Sequence, residues 1–234
     1  MRTIIKILIF NLIFISLYSQ TETAGAKILS ENEVNEIFTH SLKTDLGIKF
    51  PIFRIYNYTD ISGEYFIVLT ENYYKTENNN PLNDSITGFC IKKNKSDYSI
   101  VWQLKDFILN ENSAKSSENS IWFWTKYFDL KDIDNDGLID PIIIYGTSGL
   151  NGTDDGRIKI LVYYKNNKCG IRHQNGILDF QRNTKIDKDY YNLPIKIQKH
   201  VRGVMEKMNE NKHAIFPYGY NENMAAKKTY LEEK

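Results

Sequence analysis

Most of the chain is a series of short hydrophobic runs separated by polar turns. The runs are rich in β-branched and aromatic residues, which favour strands because such side chains pack well on a pleated surface. They occupy residues 50–56, 65–70, 86–92, 98–104, 121–128, 142–145 and 158–164, with a further segment near residues 169–173. Polar stretches at residues 94–97 and 165–168 predict hairpin turns, and residues 77–81 and 110–119 predict loops. The pattern therefore indicates a β-rich protein.

Two segments have hydrophobic residues at helical spacing instead. In the first, Ser30 and Glu33 fit a capping box, and the apolar positions before Gly47 are Val34, Ile37, Phe38 and Leu42. In the second, over residues 194–211, the apolar stripe consists of Ile195, Ile197, Val201, Val204, Met205 and Met208. The predicted fold is α+β, a curved, mainly antiparallel β-sheet with a helix near each end.

The first 20 residues differ from the rest in composition. A basic start over residues 1–6 is followed by an apolar run over residues 7–18 and then by small and polar residues, which is the pattern of a cleaved secretory signal peptide. We therefore expect an exported protein, located in the periplasm, on the outer surface or outside the cell. No second long apolar segment follows, so no membrane span is expected after cleavage. The mature chain should comprise a flexible N-terminus over residues 21–29, one α+β domain over residues 30–220 and a polar C-terminal tail over residues 221–234.

Charge and cysteine content narrow the classes of function. The formal net charge of the 234 residues is +1, and no basic stripe stands out, which disfavours nucleic-acid binding because that requires clustered Lys and Arg. The two cysteines, Cys90 and Cys169, have neither zinc-site nor redox-motif spacing. They leave two alternatives open for an exported protein, a disulfide or two separate buried thiols.

Residues 132–140 have the spacing of a calcium-binding loop between two strands, within a hairpin predicted over residues 121–146. Calcium takes six to eight oxygen ligands, and a chain that wraps the ion alternates ligand and non-ligand side chains, with a glycine at the sharp turn. Gly137 is at that turn. The predicted ligands are the side chains of Asp132, Asp134, Asp136 and Asp140 and the backbone carbonyl of Leu138. Such a site stabilises structure and performs no chemistry, so the predicted cofactor is a structural Ca²⁺.

The flanks of this loop decide which type of calcium site is expected. Position 12 is Ile143, where an EF-hand has a bidentate Glu, and both flanking segments are strand-like. The loop therefore resembles the strand–loop–strand D-x-D-x-D-G-x-x-D sites of FG-GAP and integrin-propeller repeats. Because the motif occurs once, a complete propeller is not expected. The alternative for the same residues is a hydrated Asp/Gly turn that holds no metal.

Other candidate residues do not form a recognisable catalytic motif. Trp122 and Trp124 alternate along a strand and share one face, where they would belong to the core or, if exposed, stack on sugar rings. The glycine-rich residues 146–156 match neither a P-loop nor a nucleophile elbow and favour a hairpin connection. The histidines show no metal-binding spacing; they are His40, His173, His200 and His213. The sequence thus leans against an enzyme.

Residues 124–149, WTKYFDLKDIDNDGLIDPIIIYGTSG, are similar to a small family of exported proteins of Bacteroidota-type bacteria that is linked to surface polysaccharide biosynthesis. The resemblance implies a role at the cell envelope and brings no catalytic residues with it. The first hypothesis is a calcium-stabilised envelope protein without catalysis, whose partner is polysaccharide or another envelope protein. The alternatives are a secreted glycan hydrolase with structural calcium and a protein–protein interaction module.

Overall fold

The strands form two antiparallel sheets, neither of them closed into a barrel. The computed structural model describes residues 25–109 and 118–233. Strands make up 47% and helices 24% of the structure, so the predicted α+β class with mainly antiparallel pairing is confirmed. The signal peptide and most of the predicted loop at residues 110–119 lie outside the described residues.

The first sheet has five strands that pair in chain order. The pairing register shifts along β2–β3, β3–β4 and β4–β5, and such bulges or irregularities bend and twist the strands. The predicted loop at residues 77–81 is a two-residue turn, because Asn78 and Asn79 adopt φ of 50° and 64°, the conformation that matches strand twist in tight hairpins. The strands are β1 (Ala26–Ile28), β2 (Ile52–Asp60), β3 (Gly63–Glu77), β4 (Asn80–Asn94) and β5 (Asp97–Phe107).

The second sheet contains the predicted calcium hairpin. Its order is β12-β11-β10-β9-β8-β6, and β7 also pairs with β8. The strand predicted over residues 121–128 is interrupted: Trp124 leaves the extended conformation, and a short 3-10 helix, Thr125–Tyr127, separates β6 from β7. The strands are β6 (Ser120–Phe123), β7 (Asp129–Lys131), β8 (Asp140–Ser148), β9 (Arg157–Tyr164), β10 (Asn167–Gln174), β11 (Asn183–Ile186) and β12 (Tyr230–Glu232).

The first predicted helix is split in two. The Ser30–Glu33 capping box is present at the start of α1 (Glu31–Ile37), but Phe38 leaves helical geometry and Thr39 caps a new helix, α2 (His40–Asp45), by accepting from the Leu42 N–H. The second predicted helix is confirmed as α3 (Ile195–Glu210).

The described parts of the expected flexible N-terminus and of the expected polar tail are more ordered than the sequence indicated. Within the expected flexible N-terminus, residues 26–28 form β1, which pairs with β2. Within the expected polar tail lie β12 and most of α4 (Tyr220–Ala225). Met224 and Leu231 are only 1% and 2% exposed, so each anchors its short element by hydrophobic burial, which a count of polar residues does not reveal.

The hydrophobic core has two parts, one on each face of the first sheet. The larger part joins the inner face of this sheet to the second sheet and to the buried side of α3. The smaller part lies under α1 and α2, where Phe38 packs edge-on against Phe66. Cys90 and Cys169 are free thiols in the larger part, and burial raises the pKa of both to about 12, so they are unreactive at neutral pH.

Candidate metal centre

The aspartate loop lies between β7 and β8 and is closed at its base by their pairing. Lys131 is opposite Asp140 in the register, so the eight intervening residues must turn within a short span. Asn135 and Gly137 make this possible with φ of 67° and 88°, a region that side chains with a Cβ disfavour. The turn brings one oxygen each of Asp132, Asp134 and Asp136 within 4.8 Å of one another.

This spacing matches one hard cation. Two oxygens bound to the same calcium lie at most about 5 Å apart, since each is roughly 2.4 Å from the ion. Carboxylate oxygens are the donors that calcium and magnesium prefer. The three aspartates could therefore hold one metal ion, while calcium as that ion and Leu138 and Asp140 as further ligands stay predictions.

Backbone N–H groups of the loop orient the carboxylates. Asp132 accepts from the Asp136 N–H at 3.0 Å and, through its other oxygen, from the Gly137 N–H at 2.8 Å. Asp136 in turn accepts from the Leu138 N–H at 3.0 Å. These bonds hold the side chains over the turn, so the loop is organised by its own backbone.

Asp140 differs from the other three aspartates. It is 1% exposed, it accepts from the Ile133 N–H at 3.0 Å, and it is not part of the group of three. Burial raises the pKa of its carboxyl group to about 6; the negative charges of Asp134, Asp136 and Asp132 add to the rise, and the Ile133 N–H opposes it. Its visible role is to tie the start of the loop to its end.

Two lysines from other elements lie beside the carboxylates. The Lys165 ammonium, on the β9–β10 turn, is 3.0 Å from Asp136 Oδ2, and this hydrogen bond lowers the pKa of the Asp136 carboxyl group. Lys196, at the start of α3, donates to the Asp134 carbonyl at 2.9 Å. The Tyr164 hydroxyl donates to Asp134 Oδ2 at 3.2 Å. These groups partly offset the repulsion among the aspartates, and a metal must compete with them.

The loop also packs on the β2–β3 turn of the other sheet, which sequence reasoning missed. Asp60 Oδ2 accepts from the Ile139 N–H at 3.2 Å, and the Ile61 N–H donates to the Gly137 carbonyl at 3.2 Å. The Ile61 side chain covers Gly137 so closely that an added Cβ would lie 2.9 Å from Ile61 Cδ1. A turn after β2 is visible in the sequence, but its partner is not, because the contact joins residues nearly 80 positions apart.

The remaining candidates lie away from this loop. Trp124 is buried and Trp122 partly exposed, with ring centroids 5.9 Å apart. His173 is buried, with its ring nitrogens 2.9 Å from Thr184 Oγ1 and 2.8 Å from Asn175 Oδ1, and burial lowers its pKa to about 4. His200 contacts Asp129 at 2.7 Å and His213 contacts Tyr127 at 2.7 Å, while His40 is exposed on α2.

The glycine-rich segment after β8 is a compact connection. Gly149 and Gly152 form an isolated bridge, and a 3-10 helix, Thr153–Asp155, follows. Asp155 accepts from the Asn151 N–H at 3.0 Å. Its carboxylate is thus engaged within the turn rather than at the aspartate loop.

Two further findings concern the helices that the structure describes and the comparison of the chain with known proteins. Among the helices in residues 25–109 and 118–233, none has the length and apolar character needed to cross a membrane. No protein-family model matches the chain, and neither a curated protein nor a solved structure does so. What the aspartate loop can bind is therefore inferred from its own donor atoms and charges.

Proposed function

We propose that this chain is an exported, calcium-stabilised protein of the cell envelope that supports surface polysaccharide biosynthesis or binds glycan, without catalysis of its own. The observation that carries the calcium part of the proposal is the proximity of Asp132, Asp134 and Asp136, whose carboxylate oxygens lie within 4.8 Å of one another, whereas export and the envelope role rest on the N-terminal signal pattern and the resemblance of residues 124–149. Three carboxylates this close repel one another, and a divalent cation removes that cost. Calcium from the medium is the hard cation that this donor set suits.

The position of the loop defines what the ion stabilises. The loop belongs to the second sheet, its outer residues bond to the first sheet through Asp60 and Ile61, and Lys196 links it to α3. An ion held at the three aspartates would therefore rigidify a surface point at which the second sheet, the β2–β3 turn of the first sheet and the start of α3 meet. The role we propose for the ion is therefore structural.

Calorimetric titration with calcium chloride at pH 7.5 tests the metal part of this proposal. We expect one site per chain, with a dissociation constant on the order of 10⁻⁴–10⁻³ M, as in extracellular modules. Asp134→Ala should abolish the heat of binding, whereas Asp154→Ala, an exposed carboxylate on the connection after β8, should leave it unchanged. If Asp134→Ala and Asp154→Ala bind calcium equally well, the ion does not bind at the aspartate loop.

The envelope part requires a genetic test. A strain that lacks the gene should have altered surface polysaccharide, and expression of the wild-type chain should restore it. An unchanged surface in the deletion strain, together with failure of the protein to bind any glycan, would refute this role while leaving the metal site intact.

The interaction module is a second candidate, which an exposed apolar segment favours. Ile177, Leu178 and Phe180 expose 52%, 51% and 77% of their surface, and clustered exposed hydrophobic residues mark contact sites. If this segment binds an envelope protein, serine at all three positions should abolish co-isolation of one defined partner from cross-linked cells. A partner retained by the triple variant would exclude the segment.

Glycan hydrolysis predicts two carboxylates with perturbed pKa values on one cleft. Among the residues that the structure describes, the carboxyl groups whose pKa is raised are those of Glu71 and Asp140. Backbone N–H groups of Phe123 and Ile133 hold them, and they belong to different sites. Nothing in their arrangement favours the hydrolase over the binding protein.

A further inference from the structure

Two adjoining cavities lie beside the short helix between β6 and β7. The first has a volume of about 310 Å³ and includes Trp122, Trp124 and His213 in its wall. The second has a volume of about 430 Å³ and extends to β7 and the exposed side of α3. Both are bordered by Lys126 and Tyr127, so the two cavities are neighbours and we describe them as the two halves of one cleft; their volumes are those of small-molecule sites.

The first half of the cleft is a fixed aromatic wall. The rings of Trp122 and Trp124 are 5.9 Å apart and tilted by 36°. His213 packs edge-on against Trp124 and Tyr127, and its Nδ1 is 2.7 Å from the Tyr127 hydroxyl. Trp122 is only partly buried and packs against the core, so part of its indole is presented to solvent.

The second half is polar and balanced in charge. Its wall carries positive Lys126, Lys131 and Lys207 and negative Asp129, Glu206 and Glu210, together with His200. Asp129 is fixed by His200 at 2.7 Å and by Lys131 at 3.2 Å. By contrast, four ionic side chains make no side-chain hydrogen bond within the part of the chain that the structure describes; these are Lys126, Glu206, Lys207 and Glu210.

These two halves select a ligand by elementary chemistry. A polyanion requires charge of one sign, and an apolar ligand would leave the unpaired ions of the second half desolvated. A pyranose has one face of C–H groups that stacks on an aromatic ring, and its hydroxyls both donate and accept hydrogen bonds. Donors and acceptors are both available here, on Lys126 and Lys207 and on Glu206 and Glu210.

We propose that this cleft is the binding site of a neutral oligosaccharide, with one pyranose ring against Trp122 and the hydroxyls of a neighbouring unit between Lys126, Lys207 and the two glutamates of α3. This inference rests on the proposed function, since it specifies the ligand class and the site of glycan binding. It does not depend on calcium, because no predicted metal ligand lines the cleft.

The test is direct binding of neutral gluco-, manno- and galacto-oligosaccharides of about three to six units, followed by calorimetry and tryptophan fluorescence. We expect at least one series to bind and to change the emission, and Trp122→Ala to weaken it by about tenfold or more. The double variant Glu206→Gln/Glu210→Gln should also weaken binding while the melting temperature stays unchanged, because both residues are exposed on α3. Tyr218→Ala, which removes a 92% exposed aromatic ring outside the cleft, is the matched control.

Three results would overturn the site: no binding of any neutral series, binding only of anionic oligosaccharides, or binding that the Trp122 and glutamate variants leave unchanged. The variant Asp134→Ala distinguishes a failure of the proposed sugar site from a failure of the proposed metal site. Sugar binding that persists in Asp134→Ala while its calcium response is lost supports both assignments. Sugar binding without any calcium response in the wild type refutes the metal site alone.

Discussion

Calcium should raise the melting temperature of this protein by an amount that its donor set and size allow us to calculate. With a dissociation constant of about 10⁻⁴–10⁻³ M and 10 mM calcium, binding to the native state alone contributes about 1.4–2.7 kcal/mol. For a chain of this length, each kcal/mol shifts the midpoint by about 2–4 °C. The expected difference between 10 mM calcium and EDTA is therefore about 3–11 °C.

The variant Asp134→Ala separates the effect of calcium binding on the melting temperature from the effect of the aspartate's own hydrogen bonds. The variant loses the hydrogen bonds that Asp134 accepts from Tyr164 and from the Asp136 N–H, so its midpoint in EDTA should fall as well. The informative quantity is therefore the increment caused by calcium, not the absolute midpoint. We expect that increment to vanish in Asp134→Ala and to stay at its wild-type size in Asp154→Ala.

The assay is a circular-dichroism or fluorescence melt at pH 7.5, with magnesium as a second cation. This pH is above the raised pKa of Asp140, about 6, so its proton does not compete with the metal. A wild-type midpoint that does not move in calcium would reduce the loop to a hydrated turn. An increment of equal size in Asp134→Ala would show that calcium acts at another place.

Three other perturbations test the same structure. Lys165→Gln removes the cation beside Asp136 and should tighten calcium binding by up to about fivefold, whereas Lys168→Gln on the same hairpin should not. Equal calcium affinities of the two variants would show that Lys165 does not compete with the metal for Asp136. Gly137 has a φ of 88° and lies against Ile61, so Gly137→Ala should lower the free energy of unfolding in urea by about 1–2 kcal/mol. The control is Gly203→Ala, which has open space around it and should instead stabilise α3. Burial lowers the pKa of His173 to about 4, whereas the histidine of the unfolded chain binds a proton below about 6.5. The free energy of unfolding should therefore fall by about 3 kcal/mol as the pH falls from about 6.5 to about 4. In urea titrations His173→Gln should lack this loss, and a variant with the same pH dependence as the wild type would refute the prediction.

Local signals in the sequence were sufficient for most of the strands and for α3, but not for the break at Phe38 between α1 and α2, for the 3-10 helix after Trp124 or for β11. The capping residues Ser30 and Glu33, the apolar stripe of α3 and the β-branched runs each act over a few neighbouring positions, so they can be read without knowledge of the rest of the chain. The hairpin turn at residues 165–168 was predicted for the same reason. The ends of the fold were not, since Met224 and Leu231 show their anchoring role only when packed.

For the aspartate loop, too, the sequence determined the local part. Spacing along the chain determined that Asp132, Asp134 and Asp136 alternate and that Gly137 permits the turn, because ligand geometry within nine residues is a local property.

Only the tertiary structure decided what surrounds the loop. Asp60, Lys165 and Lys196 reach it from three elements that are distant in sequence. It likewise decided that Asp140 is buried beneath the loop and that Trp122 is partly exposed where Trp124 is not. Burial and long-range contact arise from packing of the whole chain, which no short stretch of sequence records.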